Sequence, residues 1–257
     1  MRKELRAFLA AVESSGTFIV FDTETTGLKP SECDVIEFSA VKADKEGNIL
    51  DEIDVYINPG YPLPEKITEI TGITDSELAE KGITLNEAVG KIKAFMGDFP
   101  VIAGYNVGFD IGFMSEMYNK AGENFSYTTA FDVLKFARAV LPKPHKLINV
   151  VETLDLGDFK FHRSIDDAKA TLAVFNKLVE SYPVEAESDI LVVTGCTRWK
   201  KYSMDRIYVN NKNDASIYLD VNTGKWSIGG DFEEDDVIAQ VYDIMHVTSD
   251  EELEAAV

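Results

Sequence analysis

Apolar residues recur along this chain with two different periods. From Thr17 to Phe21 they run without a charged break, which predicts a strand covered on both faces; it extends to Glu24 and lies between Gly16 and Gly27. DVIEFSAVKAD (34–44) alternates apolar and polar residues and predicts a second strand. EGN (46–48) reads as a turn and ILDEIDVYINP (49–59) as a third strand. The short links predict an antiparallel meander, closed by a loop at PGYPLP (59–64). A helical period then takes over. TLNEAVGKIKAFMGD has apolar residues at 85, 88, 89, 92, 95 and 96, with Thr84 placed to cap the helix. VIAGYN predicts a short buried strand at about 101–105. Helices are expected at about 110–121, 131–140, 146–154 and 165–181. Strands followed by strand–helix alternation indicate a layered α/β domain that ends near Tyr182.

PVEAESD (183–189) reads as a linker, so the expected domains are 1–183 and 187–257. Beyond it DILVVTGC, DRIYVNN, ASIYLDV and KWSIGG read as short strands, with turns at NNKND and NTG. EEDDVIAQVYDIMH reads as a helix, followed by the acidic tail SDEELEAAV. The second part is thus a small β-rich (α+β) module. There is no internal repeat.

Hydrophobic content of 45% and charged content of 27% describe an ordinary globular protein. No apolar run approaches the roughly 20 residues that span a bilayer, so no membrane partner is expected. MRKELRAFLAAVESSG carries Glu4 and Glu13 and reads as an amphipathic helix rather than a signal peptide. Two cysteines, Cys33 and Cys196, form no framework and suggest a reducing cytoplasm. A net charge of -20 argues against broad adhesion to nucleic acid, though not against a local basic groove or a metal-filled site.

Two acids end the first strand. Side chains alternate along a strand, so Asp22 and Glu24 project to the same side. The carboxyl end of a central strand is where open α/β sheets place their ligand crevice. Paired carboxylates stay ionised only beside a cation, and hard oxygen ligands suit Mg²⁺ or Mn²⁺. Two incidental acids at a solvated strand end are the plain alternative. Asp110 opens a helix after Gly104 and Gly108, where it also suits the helix dipole. In FHRSIDDAKATLAVF, His162 precedes a helix, and Ser164 with Asp167 has the spacing of a capping box. Asp22, Glu24, Asp110 and Asp167 all fall at strand ends or helix starts, which can converge on one crevice. Four carboxylates and a histidine suit metal-assisted phosphodiester hydrolysis.

FDTETTGL, NVGFDIGFM and HRSIDDA, in that order, resemble the three motifs of the DEDDh family of 3′–5′ exonucleases, and in particular those of the proofreading exonucleases of bacterial DNA polymerase III. FDVLKFARAVLPKPHKLINVV resembles the family's segment between its second and third motifs, and the likeness covers about residues 15–181. It implies a ribonuclease H-like fold, a mixed five-stranded sheet flanked by helices. It implies that Asp22, Glu24, Asp110 and Asp167 hold two divalent ions, with Asp22 bridging them, and that His162 is the general base. Asp167 is favoured over Asp166 by its spacing from His162. The implied product is a nucleoside 5′-monophosphate released from single-stranded DNA or a frayed 3′ end. Thr23, Thr25, Thr26, Gly27, Leu28, Asn106 and Phe109 become candidate substrate contacts; Gly27 also suits a plain strand-ending turn that uses its freedom to take φ > 0. Tyr105 departs from the histidine often found before Asn106.

Lys135, Arg138, Lys143, His145 and Lys146 line either a phosphate path or a solvated helix face. TRWKKYSMDR (197–206) interleaves cations with aromatics, as single-strand binders do, and fits a module core as well. The motifs leave three functions open. They are a DNA exonuclease, an RNA-trimming enzyme like ribonuclease T or oligoribonuclease, and an idle scaffold bound to a polymerase subunit.

Overall fold

The computed structural model describes residues 4–161 and 163–182 with their side chains, the backbone of residues 2 and 3, and the backbone of four strands beyond them. The chain divides into two compact units, Met1–Val184 and Glu185–Val257.

The first unit is built on one mixed sheet of five strands. Strands β1 (Thr17–Thr25), β2 (Val35–Asp44), β3 (Ile49–Tyr56), β4 (Val101–Gly104) and β5 (Thr129–Asp132) lie in the order β3-β2-β1-β4-β5. The expected meander is present, since β1 pairs antiparallel with β2 and β2 with β3. β4 joins β1 in parallel and β5 joins β4 in parallel. β1 is therefore central, as its apolar run predicts.

Helices α1 (Arg2–Ser15), α6 (Val133–Val140), α7 (Leu147–Thr153) and α8 (Ser164–Ser181) cover one face of the sheet. Phe18 and Val20 of β1 point into that layer, among Leu5, Phe8, Phe131, Phe175 and Leu178. The rings of Phe8, Phe18, Phe131 and Phe175 pack with centroids 5.2 to 5.7 Å apart, mostly edge to face. Helices α4 (Leu85–Met96) and α5 (Val107–Lys120) cover the other face, where Ile19 and Phe21 meet Val89, Ile92, Phe113 and Met114. Even-numbered β1 residues face α8 and odd-numbered ones face α5. That division decides how the site is assembled.

Thr84 caps α4 as expected, its hydroxyl accepting from the Glu87 N–H within a complete capping box. Three features differ from the sequence expectation. Two seven-residue helices, α2 (Glu65–Thr71) and α3 (Asp75–Lys81), occupy a stretch where periodicity predicted no element. Thr129–Asp132 is a strand, and the helix expected from 131 begins at Val133, with Asp132 as its cap. Ser164 is the first residue of α8 rather than its cap. Arg163 holds the cap position and makes no side-chain capping bond.

In the second unit, strands β6 (Leu191–Cys196), β7 (Asp205–Asn210), β8 (Ser216–Asp220) and β9 (Lys225–Gly229) form an antiparallel sheet in sequence order. The helix expected over 233–246, the acidic tail and the side chains of TRWKKYSMDR lie outside the described residues. Among the described residues, no helix is long and apolar enough to cross a membrane.

Candidate metal centre

The site begins where β1 ends. Asp22 and Glu24 stand two residues apart on the face toward α8, and both are partly buried. α8 delivers Asp167 from its first turn. Asp22, Glu24 and Asp167 each present a carboxylate oxygen, and the three atoms lie within 4.8 Å of one another. Asp167 enters this group and Asp166 does not.

Asp110 arrives from the opposite layer, in the first turn of α5, and is buried. The intervening Thr23 points toward α5 and fastens it there. Its N–H donates to Asp110 Oδ1 at 3.1 Å, and its hydroxyl donates to the same oxygen at 2.7 Å. One strand thus presents two carboxylates on one face and anchors a third through the other.

These charges disturb one another. Burial, then repulsion from Asp110, Asp167, Glu24 and Glu37, raises the Asp22 carboxyl well above the usual carboxylate range. Burial, then Glu37, Asp167 and Asp110, pushes Glu24 up to about 8, and Arg163 offsets part of this. Burial also raises Asp110, against the pull of its bonds from Thr23. Such a cluster is stabilised by a cation placed between its oxygens. The all-carboxylate donor set fits a hard divalent ion such as Mg²⁺ or Mn²⁺. Asp22, Glu24 and Asp167 are the residues that would hold it.

An open cavity of about 300 Å³ adjoins these acids, lined by Asp22, Tyr105, Lys146, Leu147, Ile148, Phe161 and Asp167. One wall is acidic, and the others combine a cation, an aromatic ring and apolar groups. His145 Nε2 contacts the Leu141 carbonyl at 2.9 Å, and the Tyr105 hydroxyl donates to the His145 carbonyl at 2.7 Å. His145 therefore braces its loop, leaving exposed Lys146 as the basic residue of this segment that lines the cavity. Lys135, Arg138 and Lys143 are exposed and do not line the cavity.

Residues 19–175 match the model of the Exonuclease (RNase_T) family. The chain belongs to the exonuclease family. Among its relatives, the PolC-type DNA polymerase III of Bacillus cereus is 37% identical over 166 residues, covering 64% of this chain and 11% of that protein. The PolC-type enzyme of Thermotoga maritima is 37% identical over 165 residues, covering 64% of this chain and 12% of that one. The match thus spans only 11 to 12% of the length of these relatives. Among solved structures, E. coli exonuclease I in complex with a dA16 oligonucleotide aligns with a TM-score of 0.58 at 20% identity, covering 80% of this chain and 55% of the other. Its zinc-bound complex with single-stranded DNA aligns equally well, at a TM-score of 0.58 and 20% identity, covering 80% and 54%. The expected likeness to the DEDDh 3′–5′ exonucleases and the ribonuclease H-like sheet both hold.

In this exonuclease domain the threonines at the end of β1 and just after it make contacts within the protein. Thr23, Thr25 and Thr26 are buried. The Thr25 hydroxyl donates to the Gly27 carbonyl at 2.7 Å. Thr26 Oγ1 accepts from the Asp34 N–H and lies 3.1 Å from the Tyr61 hydroxyl, which donates to Asp34 Oδ2 at 2.6 Å. Lys120 completes this staple on Asp34 Oδ1 at 2.8 Å. Gly27 does not take the expected positive φ; it is tightly packed instead, since a Cβ there would sit 2.6 Å from Cys33 Sγ. Leu28 remains 82% exposed at the loop tip. Asn106 is exposed in the left-handed region at φ 69°, its N–H donating to Asp132, and Phe109 packs on Phe113 at 4.9 Å. His162 lies outside the described residues. Sequence reasoning did not find Glu37, Tyr105 as a cavity wall, or Thr23 as the anchor of Asp110. Their roles depend on which segments the fold brings together.

Proposed function

We propose that this chain is a divalent-metal-dependent 3′–5′ exonuclease that removes nucleotides from DNA 3′ ends as 5′-monophosphates, in proofreading-like work in the cytoplasm. One observation carries the reading: three carboxylate oxygens within 4.8 Å of one another at the carboxyl end of the central strand, inside the stretch that matches the exonuclease family. When bound, divalent ions supply Lewis-acid stabilisation of charge on phosphodiester oxygens. Asp22, Glu24 and Asp167 would hold the ions, and Asp110 would add its charge from the α5 side. His162 takes a proton from the attacking water. Leu28 offers an apolar face to the terminal base, and Lys146 attracts the phosphate. DNA is preferred as substrate because the relatives are DNA polymerases and the aligned exonuclease I structures hold DNA oligonucleotides. A polymerase subunit is the proposed protein partner, and residues 187–257 the accessory module.

The test is degradation of 5′-labelled single-stranded DNA and RNA of one sequence, with Mg²⁺, Mn²⁺ or EDTA. A ladder shortening from the 3′ end, mononucleotide product and silence in EDTA are expected. Asp22→Ala loses the activity and stays folded, and His162→Ala is slower by about 10²- to 10⁴-fold. Preference for RNA moves the substrate to the ribonuclease T-like class. Normal turnover by folded Asp22→Ala overturns the metal reading.

A further inference from the structure

The exonuclease site has a fifth carboxylate that the reaction above does not use. Glu37 lies on β2 directly opposite Glu24, its side chain wholly buried. Ser39, opposite Asp22, is buried beside it. Both reach across to the start of α8. Glu37 Oε2 accepts from the Ser164 N–H at 3.3 Å, and the Ser164 hydroxyl donates to Ser39 Oγ at 2.5 Å. Ser39 in turn donates to Asp54 Oδ1 at 2.9 Å.

A helix begins with N–H groups that lack partners and commonly borrows a side chain from just before its first turn. α8 makes no such local cap. Glu37 supplies the acceptor from a strand 127 positions away. Its other oxygen, Oε1, has no hydrogen bond and stands 3.6 Å from Arg163 Nη2. Arg163 also donates to the Tyr56 hydroxyl, with its guanidinium 5.7 Å from the Tyr56 ring centroid. The residue before α8 and the first residue within it are thus both tied to β2 and β3, next to the strand that carries Asp22 and Glu24.

We propose that Glu37 is a positioning residue: with Arg163 and Tyr56 it fixes the first turn of α8, and so sets the distance at which Asp167 meets Asp22 and Glu24. It rests on the nuclease reading for the identity of the site. Glu37 is not a ligand here, because one oxygen is held by the helix N–H and the other faces Arg163.

Charge and position give opposite signs for Arg163, which makes the proposal testable. Removing a positive charge near the acids tightens Mn²⁺ if charge alone matters, and weakens it if the clasp sets the geometry. The experiment titrates Mn²⁺ into the full-length parent, Glu37→Gln and Arg163→Gln by calorimetry, with kcat and KM on a short single strand. Both variants are expected to bind Mn²⁺ about 10- to 100-fold more weakly, as when partners that orient ligands are lost. kcat falls by a similar factor, and KM at saturating Mn²⁺ stays near the parent's. Parental or tighter Mn²⁺ binding by Arg163→Gln overturns the proposal. So does parental binding by folded Glu37→Gln. Should Glu37→Gln fail to fold, Arg163→Gln decides alone, since its side chain is partly exposed. A parent that binds Mn²⁺ but cleaves no nucleic acid sinks the nuclease reading and leaves the affinity comparison decisive for the clasp.

Discussion

Thr23 sits between two ligand candidates and faces the other way, so its work is done through Asp110. Thr23→Val keeps the shape and removes the hydroxyl that donates at 2.7 Å. The variant is expected to fold normally and to lose about 10- to 100-fold in exonuclease rate, the usual cost of freeing a carboxylate of a metal site from its support. Steady-state kinetics beside a thermal melt checks this. Glu24 carries a second prediction. Its folded carboxyl titrates at about 8 against an ordinary 4.5, so the folded state keeps a proton that the unfolded chain has released. Metal-free stability therefore falls as pH rises through that window. Melting in EDTA is expected at lower temperature at pH 8 than at pH 5.5, and Mn²⁺ should raise Tm more at pH 8. A Glu24→Gln variant flattens the slope; an unchanged slope refutes the assignment. The pairing of Asp22 with Glu24 was legible from a period of two alone. The Thr23–Asp110 bond was not, because nothing local links residues 87 positions apart.

At the level of elements, long periodic segments were readable and short ones were not. β1, β2 and α4 follow from alternation, an apolar run and a capping threonine. β5 has four residues, TAFD, too few to show a period, and a helical pattern starts immediately behind it. α2 and α3 span seven residues each, about two turns, and draw stability from packing rather than propensity. Ser164 had the spacing of a cap, and the buried contacts with Ser39 and Glu37 outweighed it. α8 is held to the sheet by Phe175 within the ring cluster around Phe8 and Phe18. Phe175→Ala is expected to cost about 3–5 kcal/mol, the range for a buried aromatic cut to a methyl group. Urea unfolding of parent and variant in EDTA measures it, and a loss below about 1 kcal/mol would show that the site collapses around the gap.

For the whole molecule, every proposed ligand lies in the unit Met1–Val184. A chain ended near Glu185 is expected to remain soluble and to cleave short single strands at the parental rate. If the module carrying TRWKKYSMDR binds substrate, its removal raises KM for long strands more than for dinucleotides. Equal KM ratios assign the module to protein contacts instead, and an insoluble fragment shows that the two units need each other to fold. With a net charge of -20, binding of long strands through such a local patch weakens steeply with salt.

The division of β1 between two helical layers also has a bearing on biosynthesis. Asp22 is made early, Asp110 midway, and Asp167 on the last helix of its unit. α8 packs across β1 and β2, strands translated well over a hundred residues before it. A nascent chain that has not yet released α8 holds only part of the carboxylate set, whatever else has folded. On the proposed reading, the metal site is therefore complete only once α8 has packed on β1 and β2.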